Sequence, residues 1–387
     1  MKHLIIGFLL VLLQACASTD AEQTNTQQRT SGPELSTGQM AEPAPRTAKP
    51  VELYSEQFFL NFESALNQQT EDALSSKIDY DKMIEYFIGT KDLNATAKEN
   101  LNRLFSTVSE GMITGMKQTP DMEWMYIGSQ TGNNGSFISY YRAAHHDLLA
   151  YYQFTWLNGV IVDVVNLALG AGISSGFDFI QESSRTNVYS HKQLDNLGLF
   201  FKYLEDSRYN QMLRTYNLMP KRFQQQDSIL GVLLRVRDDV PNRELPVALS
   251  RSLARHKTIH PRYFLYYYEQ KKYELALACL AAYPEPVVKD VRIQVEMASL
   301  QDALGESQLA ETMLVDSILK QPYQPDAYLA LLHLSMKTQQ NEQAELLLKV
   351  LYDRFSVAYS KQSLLELEAG NSFITTANYQ RYAKYIN

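Results

Sequence analysis

The chain has 387 residues, enough for two or three domains of ordinary size. Hydrophobic residues make up 45% and charged residues 20%, a globular balance that excludes wholesale disorder. Forty-three acids against 36 bases leave a net charge of −7, which supplies no basic excess for phosphates and argues against a nucleic-acid partner. Two cysteines exclude a disulfide framework and the usual four-ligand, cysteine-based zinc site.

Residues 1–16 read MKHLIIGFLLVLLQAC. Lys2 and His3 form a basic start, and Leu4 to Leu13 is an unbroken apolar run, too short to span a bilayer and of the length of a secretory signal core. The run ends in Leu13-Gln14-Ala15-Cys16, which resembles the lipobox of bacterial lipoproteins. The resemblance implies that residues 1–15 are a cleaved signal peptide and that Cys16 carries a diacylglycerol, so that acyl chains anchor the protein in the membrane. Ala17 and Ser18 follow, with no Asp just after the cysteine. In Gram-negative lipoproteins that Asp favours inner-membrane retention. The implied location is therefore the outer membrane, facing the periplasm.

Residues 17–50 hold no aromatic residue and four prolines, at 33, 43, 45 and 50. Such a segment cannot bury enough apolar surface to offset its ordering entropy, so 16–50 reads as a lipidated cysteine and a disordered tether.

The first folded part is expected over 51–188. Phe58, Phe59, Phe62 and Leu66 recur at helical spacing, as do Leu101, Leu104, Phe105, Val108 and Met112. The period then changes to two, with Trp124 and Tyr126 alternating with Met125 and Ile127. Asn134-Gly135 and Asn158-Gly159 are turn signals, and the second, inside Trp156–Val160, predicts a type I′ hairpin with Leu157 opposite Val160. On that register Tyr152, Phe154 and Trp156 share a face with Val165, Asp163 and Ile161. Helices followed by an antiparallel meander make an α+β domain, and the element order resembles the cystatin-like and nuclear-transport-factor-2-like cone folds.

The rest is predicted to be all-α: a helical extension over 189–256 with helices at Leu197–Leu204 and Ile229–Val236, then repeats over 257–387. Ala276, Ala310 and Ala344 are 34 residues apart in similar frames. Leu280, Leu314 and Leu348 follow each by four residues, and Tyr263, Met297 and Leu331 precede each by thirteen. Gly305 and Pro322 stand where helices would break. Over about 257–357 this resembles tetratricopeptide repeats, with 359–386 as a degenerate pair capping the array. The sequence departs from the family pattern at the small position of the first helix, which is Phe264 and Leu332 in two units and Ala298 in one.

Several constellations carry chemistry on paper. Gly172-Ile173-Ser174-Ser175-Gly176 matches a nucleophile elbow, but that motif requires a parallel α/β sheet, and a small-residue loop is expected instead. In His145-His146-Asp147, adjacent side chains on a strand would point to opposite faces, so a turn is expected rather than a metal site. Asp163, opposite Phe154 on an apolar face, would have a raised pKa and could act as a general base in a cone-fold cavity. Cys279 reads as a buried small hydrophobe.

The repeat resemblance implies a groove lined by the first helix of each unit. Carried over by register, its residues are Tyr268, Glu269, Arg292, Ser299, Asp302, Asp326, His333, Met336 and Lys337. The expected function is therefore a non-catalytic, protein-binding scaffold or assembly factor of the bacterial envelope, without cofactor or metal. The alternative is a small-ligand binder or enzyme using the 51–188 domain around Asp163.

Overall fold

The structure is a computed structural model that describes residues 54–68, 72–88, 122–145, 148–168, 170–174, 206–224 and 259–386, together with 102, 106, 196, 199, 200, 202–204, 226, 229, 230, 233 and 234. The lipobox, the tether, most of the Leu101–Met112 segment, His146, Asp147, Ser175, Gly176 and much of 189–256 lie outside the described residues. Two compact units divide the chain, the first ending at 256 and the second running from 257. The first is α+β and the second is helical throughout its described length.

Helix α1, Glu56–Asn67, starts where the Ser55 hydroxyl accepts from the Phe58 amide and satisfies one of the first-turn donors. Its apolar stripe, Phe59, Phe62 and Leu66, is buried against an antiparallel sheet. That sheet runs β1 (Glu123–Thr131), β2 (Phe137–His145), β3 (Leu148–Leu157), β4 (Val160–Asn166) and the two-residue β5 (Ala171–Gly172), each beside its sequence neighbour. Helices α2 (Asp72–Ser75) and α3 (Tyr80–Ile88) follow α1, and α3 packs on β4. The Asn158-Gly159 turn forms as the dipeptide dictates, with φ of 51° and 81° and Leu157 paired to Val160.

Aromatic rings fill the space between α1 and the sheet. The Phe62 ring lies 4.9 Å from Trp156 and 5.3 Å from Phe154, in both cases edge to face. Their polar tips are satisfied internally: Trp156 Nε1 donates to the Ser139 hydroxyl at 2.7 Å, and the Tyr141 hydroxyl donates to the Phe59 carbonyl at 3.0 Å.

The open edge of the sheet is closed by side chains of α1. Trp124 N–H donates to Asn67 Oδ1 at 2.7 Å, and Asn67 Nδ2 donates back to the Trp124 carbonyl at 2.8 Å, so one amide side chain stands in for a neighbouring strand. The Tyr126 amide donates to Glu63 Oε2. Half of β1 is thereby withdrawn from edge-to-edge pairing.

The second unit is a series of helical pairs: α6 (Phe264–Glu269) with α7 (Tyr273–Ala281), α9 (Val291–Ala303) with α10 (Ser307–Lys320), and α11 (Pro325–Lys337) with α12 (Asn341–Phe355). The first unit contributes α4 (Tyr209–Leu218) and α5 (Lys221–Gln224) before them, and a short α8 (Glu285–Val288) separates α7 from α9. Helix α9 packs on both α10 and α11, and α10 on α11. The second helices begin at Tyr273, Ser307 and Asn341, 34 residues apart.

The turns inside the three pairs share one pattern of backbone conformation and hydrogen bonding. Lys271, Gly305 and Gln339 have φ of 57°, 91° and 60°. Each is followed by a residue near φ −90° and ψ +60°: Lys272, Glu306 and Gln340. Each first residue donates its N–H to the carbonyl three back, and each second residue to the carbonyl five back. Only Gly305 is the residue type that tolerates the left-handed region without strain.

The expected alanines are 0%, 1% and 0% exposed at 276, 310 and 344, and Leu280, Leu314 and Leu348 are buried beside them. The chain closes with α13 (Lys361–Leu365), α14 (Gly370–Phe373) and α15 (Ala377–Ile386). Helix α15 lies on α12 and seats Tyr382 fully buried, 34 residues beyond Leu348. Its anchor is Glu345 of α12, which accepts from Arg381, Lys349 and Asn378. No described helix is long and apolar enough to cross a membrane.

Candidate binding surface

The residues expected to line a groove fall on three helices, and their environments differ. Tyr268 and Glu269, at the end of α6, are exposed, with the Tyr268 ring against Phe264 and Tyr273. On α9 and α11 the charged positions are engaged with one another. Arg292 Nη1 meets Asp326 Oδ1 at 2.8 Å, and Lys337 Nζ meets Asp302 Oδ2 at 2.7 Å. These pairs link the start of α9 to the start of α11 and the end of α9 to the end of α11. The Ser307 hydroxyl adds a 2.6 Å donation to Asp302. The Asp302 carboxyl is held below the usual carboxylate range: burial opposes ionisation, and the bonds from Lys337 and Ser307 outweigh it.

Between the two ion pairs lie Glu296 and Ser299 on α9 and His333 on α11. The Ser299 hydroxyl is turned back onto the Val295 carbonyl. Burial pushes the His333 imidazole below its ordinary value and the Glu296 carboxyl above its own, although Arg292 opposes the shift at Glu296. The stretch therefore presents an imidazole, a carboxyl group and a hydroxyl between two internally neutralised ends. It has no single-sign patch.

Met336 is a correction to the expected set. It is 1% exposed and belongs to the core with Leu331, Leu332 and Leu348, so its side chain is not offered to a partner. The helical period alone places it one residue from exposed Lys337, on the margin between groove and seam, and packing decides the side.

The second candidate, Asp163, is placed differently from its expected register. The β3–β4 pairing slips between Trp156 and Thr155: Trp156 pairs with Ile161 and Phe154 with Val164, so Asp163 faces Thr155 rather than Phe154. Val162 is the extra residue of a β-bulge. The bulge lets Ile161, Val162 and Val164 all bury themselves in the core and turns the carboxylate to the other side of the sheet. There Asp163 is 6% exposed, and its oxygen accepts the Ser174 amide at 3.1 Å. Burial raises its pKa, while the Ser174 hydroxyl and the amides of Ser174, Val164 and Ile173 pull it back. Its acceptor capacity is thus spent on tying the 173–174 segment to β4.

This accounts for the described part of the Gly172–Ser174 motif. A Cβ at position 172 would come within 2.7 Å of the Val164 carbonyl, so glycine is required by the close approach of β5 to β4. Ser174 serves Asp163 as a donor.

The remaining residues have plain surroundings. His145 ends β2, paired with Leu148. Cys279 is buried, and burial raises its thiol pKa. Among the described residues no three His, Cys, Asp or Glu side chains gather as a metal site. Sequence reasoning missed Glu345 and the Arg292–Asp326 and Asp302–Lys337 pairs. These two pairs join positions 34 and 35 residues apart, so the 34-residue spacing of the alanines was the signal that could have found them. No known protein family, curated protein or solved structure matches this chain.

Proposed function

We propose that this protein is a lipid-anchored scaffold of a bacterial outer membrane, whose helical half holds a polypeptide partner and which performs no catalysis. The observation that carries the reading is the threefold use, at a 34-residue interval, of one helical hairpin with one turn geometry and one buried alanine seat. Stacked hairpins of that period are the build of tetratricopeptide arrays, in which first helices form an extended surface suited to chains rather than to small molecules. The α9–α11 face, with its self-neutralised charges and a few exposed polar groups, suits selective but not strongly electrostatic docking.

The reading places the 51–188 part in a supporting role. Asp163 has the raised pKa of a general base, yet its bonds to the 173–174 segment favour a structural staple over the enzyme or ligand-binder alternative.

Crosslinking in intact envelopes tests the scaffold. The full chain and a chain lacking 257–387 are compared, and the adducts are sized and identified. Adducts unique to the full chain are expected; an identical pattern from both would remove the helical half as the binding part. Cys16→Ala tests the anchor, since the protein should leave the membrane fraction, and a variant that stays membrane-bound contradicts the lipoprotein assignment.

A further inference from the structure

We infer that the described residues 199, 200, 202–204 and 206–218, inside the first folded unit, belong to another copy of the same helical hairpin, so that the repeat architecture is not confined to 257–387. The inference rests on the repeat reading above and extends it to a part of the chain where the 34-residue register detects nothing.

Backbone geometry carries the equivalence. Ser207 has φ of 53°, in the left-handed region, as Lys271, Gly305 and Gln339 do. Arg208 follows at φ −89° and ψ 62°, against −91° and 65° at Lys272. The Ser207 amide donates to the Leu204 carbonyl, three back, at 3.1 Å, and the Arg208 amide to Tyr203, five back, at 2.7 Å. The corresponding distances at Lys271 and Lys272 are both 2.9 Å. Helix α4 then begins at Tyr209, two residues past the left-handed one, as α7, α10 and α12 begin at Tyr273, Ser307 and Asn341.

The burial pattern follows the turn. Met212 is fully buried at the seat of Ala310, Tyr216 is buried at that of Leu314, and Met219 at that of Ser317. Before the turn, Leu199, Phe200 and Lys202–Leu204 are helical, and Phe200 is fully buried at the seat of Ala298 and Leu332. The left-handed residue with its two hydrogen bonds is a common way for a helix to end; what marks this copy is that the next helix starts two residues later, as in the other three turns, with four buried seats at the offsets found around Gly305.

Two features hide this copy from a period search. Ser207 precedes Lys271 by 64 residues, four short of two periods, so the phase slips. The alanine that marks the other second helices is replaced by Met212, and Phe200 is buried at the seat held by Ala298 in the α9–α10 pair, so large side chains stand where small or aliphatic ones stand elsewhere. A binding region trimmed to begin at 257 therefore discards one of its own units.

Paired cysteines in the full chain, in a Cys279→Ser background, test the equivalence. Phe200→Cys with Met212→Cys should close on mild oxidation at a rate within about tenfold of Ala298→Cys with Ala310→Cys, read by peptide mapping. The pair one residue out of phase, Leu199→Cys with Met212→Cys, should stay reduced. If 298/310 closes and 200/212 does not, the inference falls while the repeat reading of 257–357 stands. If neither closes, the repeat reading falls with it. Because Phe200→Cys opens the core, Ser207→Gly provides a second readout that keeps the fold. It should raise the melting temperature, as Lys271→Gly should, by relieving a left-handed side-chain residue; a fall at Ser207 alone would overturn the inference.

Discussion

Ala310 is the sharpest place to perturb the helical half. It is 1% exposed, stands in one cluster with Ala298, Leu314, Leu331 and Leu332, and occupies the seat that Ala276 and Ala344 fill in the neighbouring pairs. Leucine there adds three carbons to a seam with no room for them. Forcing extra methylenes into a packed core costs about 1–3 kcal/mol. Helix α10 has neighbours on two sides, since it packs on both α9 and α11, which places Ala310→Leu toward the upper end, about 2–3 kcal/mol. In a unit of this size each 1 kcal/mol moves the midpoint by roughly 3–6 °C, so a fall of about 6–18 °C is expected for the second unit's transition. Differential scanning calorimetry on the full chain reads it, with two controls: Leu309→Ala, one residue away but 45% exposed, and Gln324→Leu in the loop before α11. Both should change stability by within about 0.5 kcal/mol. If Ala310→Leu melts with the controls, the alanine seat does not hold the helices together, and the shared-hairpin reasoning loses its basis.

Three further predictions concern single polar side chains. Asn67→Leu removes both partners of the Trp124 backbone, costing about 1–2 kcal/mol and reopening the β1 edge; urea unfolding with light scattering checks it, and an unchanged midpoint would remove Asn67 as an edge cap. Glu345 is held down to about 2, first by its bond from Arg381 and then, against the opposing effect of burial, by Lys349. Its folded pKa lies below the unfolded value near 4.3, so its contribution is complete above that value and is lost as pH falls toward 2. With solvent screening this is about 1 kcal/mol, seen as faster amide exchange in α15 between pH 4.5 and 2, and Glu345→Gln should abolish the pH dependence. Asp163→Ala should cost about 1–3 kcal/mol by stranding the Ser174 and Ile173 amides, measured by chemical denaturation. Because the Asp163 pKa is raised on folding, the carboxylate itself costs stability once pH climbs above its unfolded value near 3.9, so the first unit should gain stability as that group is protonated in mild acid.

Much of the architecture was legible from the sequence because it rests on local periodicity. Phe59, Phe62 and Leu66 mark the buried stripe of α1, Asn158-Gly159 demands its turn, and the alanines at 276, 310 and 344 announce their helices, since each signal acts within a few residues of chain. What period cannot supply is the partner across a gap. Strict alternation puts Asp163 against Phe154, and only the fit of Ile161, Val162 and Val164 into the core, with amides of 173 and 174 waiting on the other side, makes a bulge the better arrangement. The same holds for Asn67 replacing a strand, for Arg292 reaching Asp326, and for Met336 turning into the seam beside exposed Lys337. The left-handed turn at Ser207 gave no sequence signal for a related reason: it stands 64 residues before Lys271, off the 34-residue spacing, and Met212 rather than an alanine is buried five residues after it, while the turn itself is defined by backbone dihedrals that several residue types can adopt at modest cost. Side-chain identity reports which side of an element is apolar. Which groups meet there is decided by packing and by the requirement that every buried N–H and carboxylate find a partner.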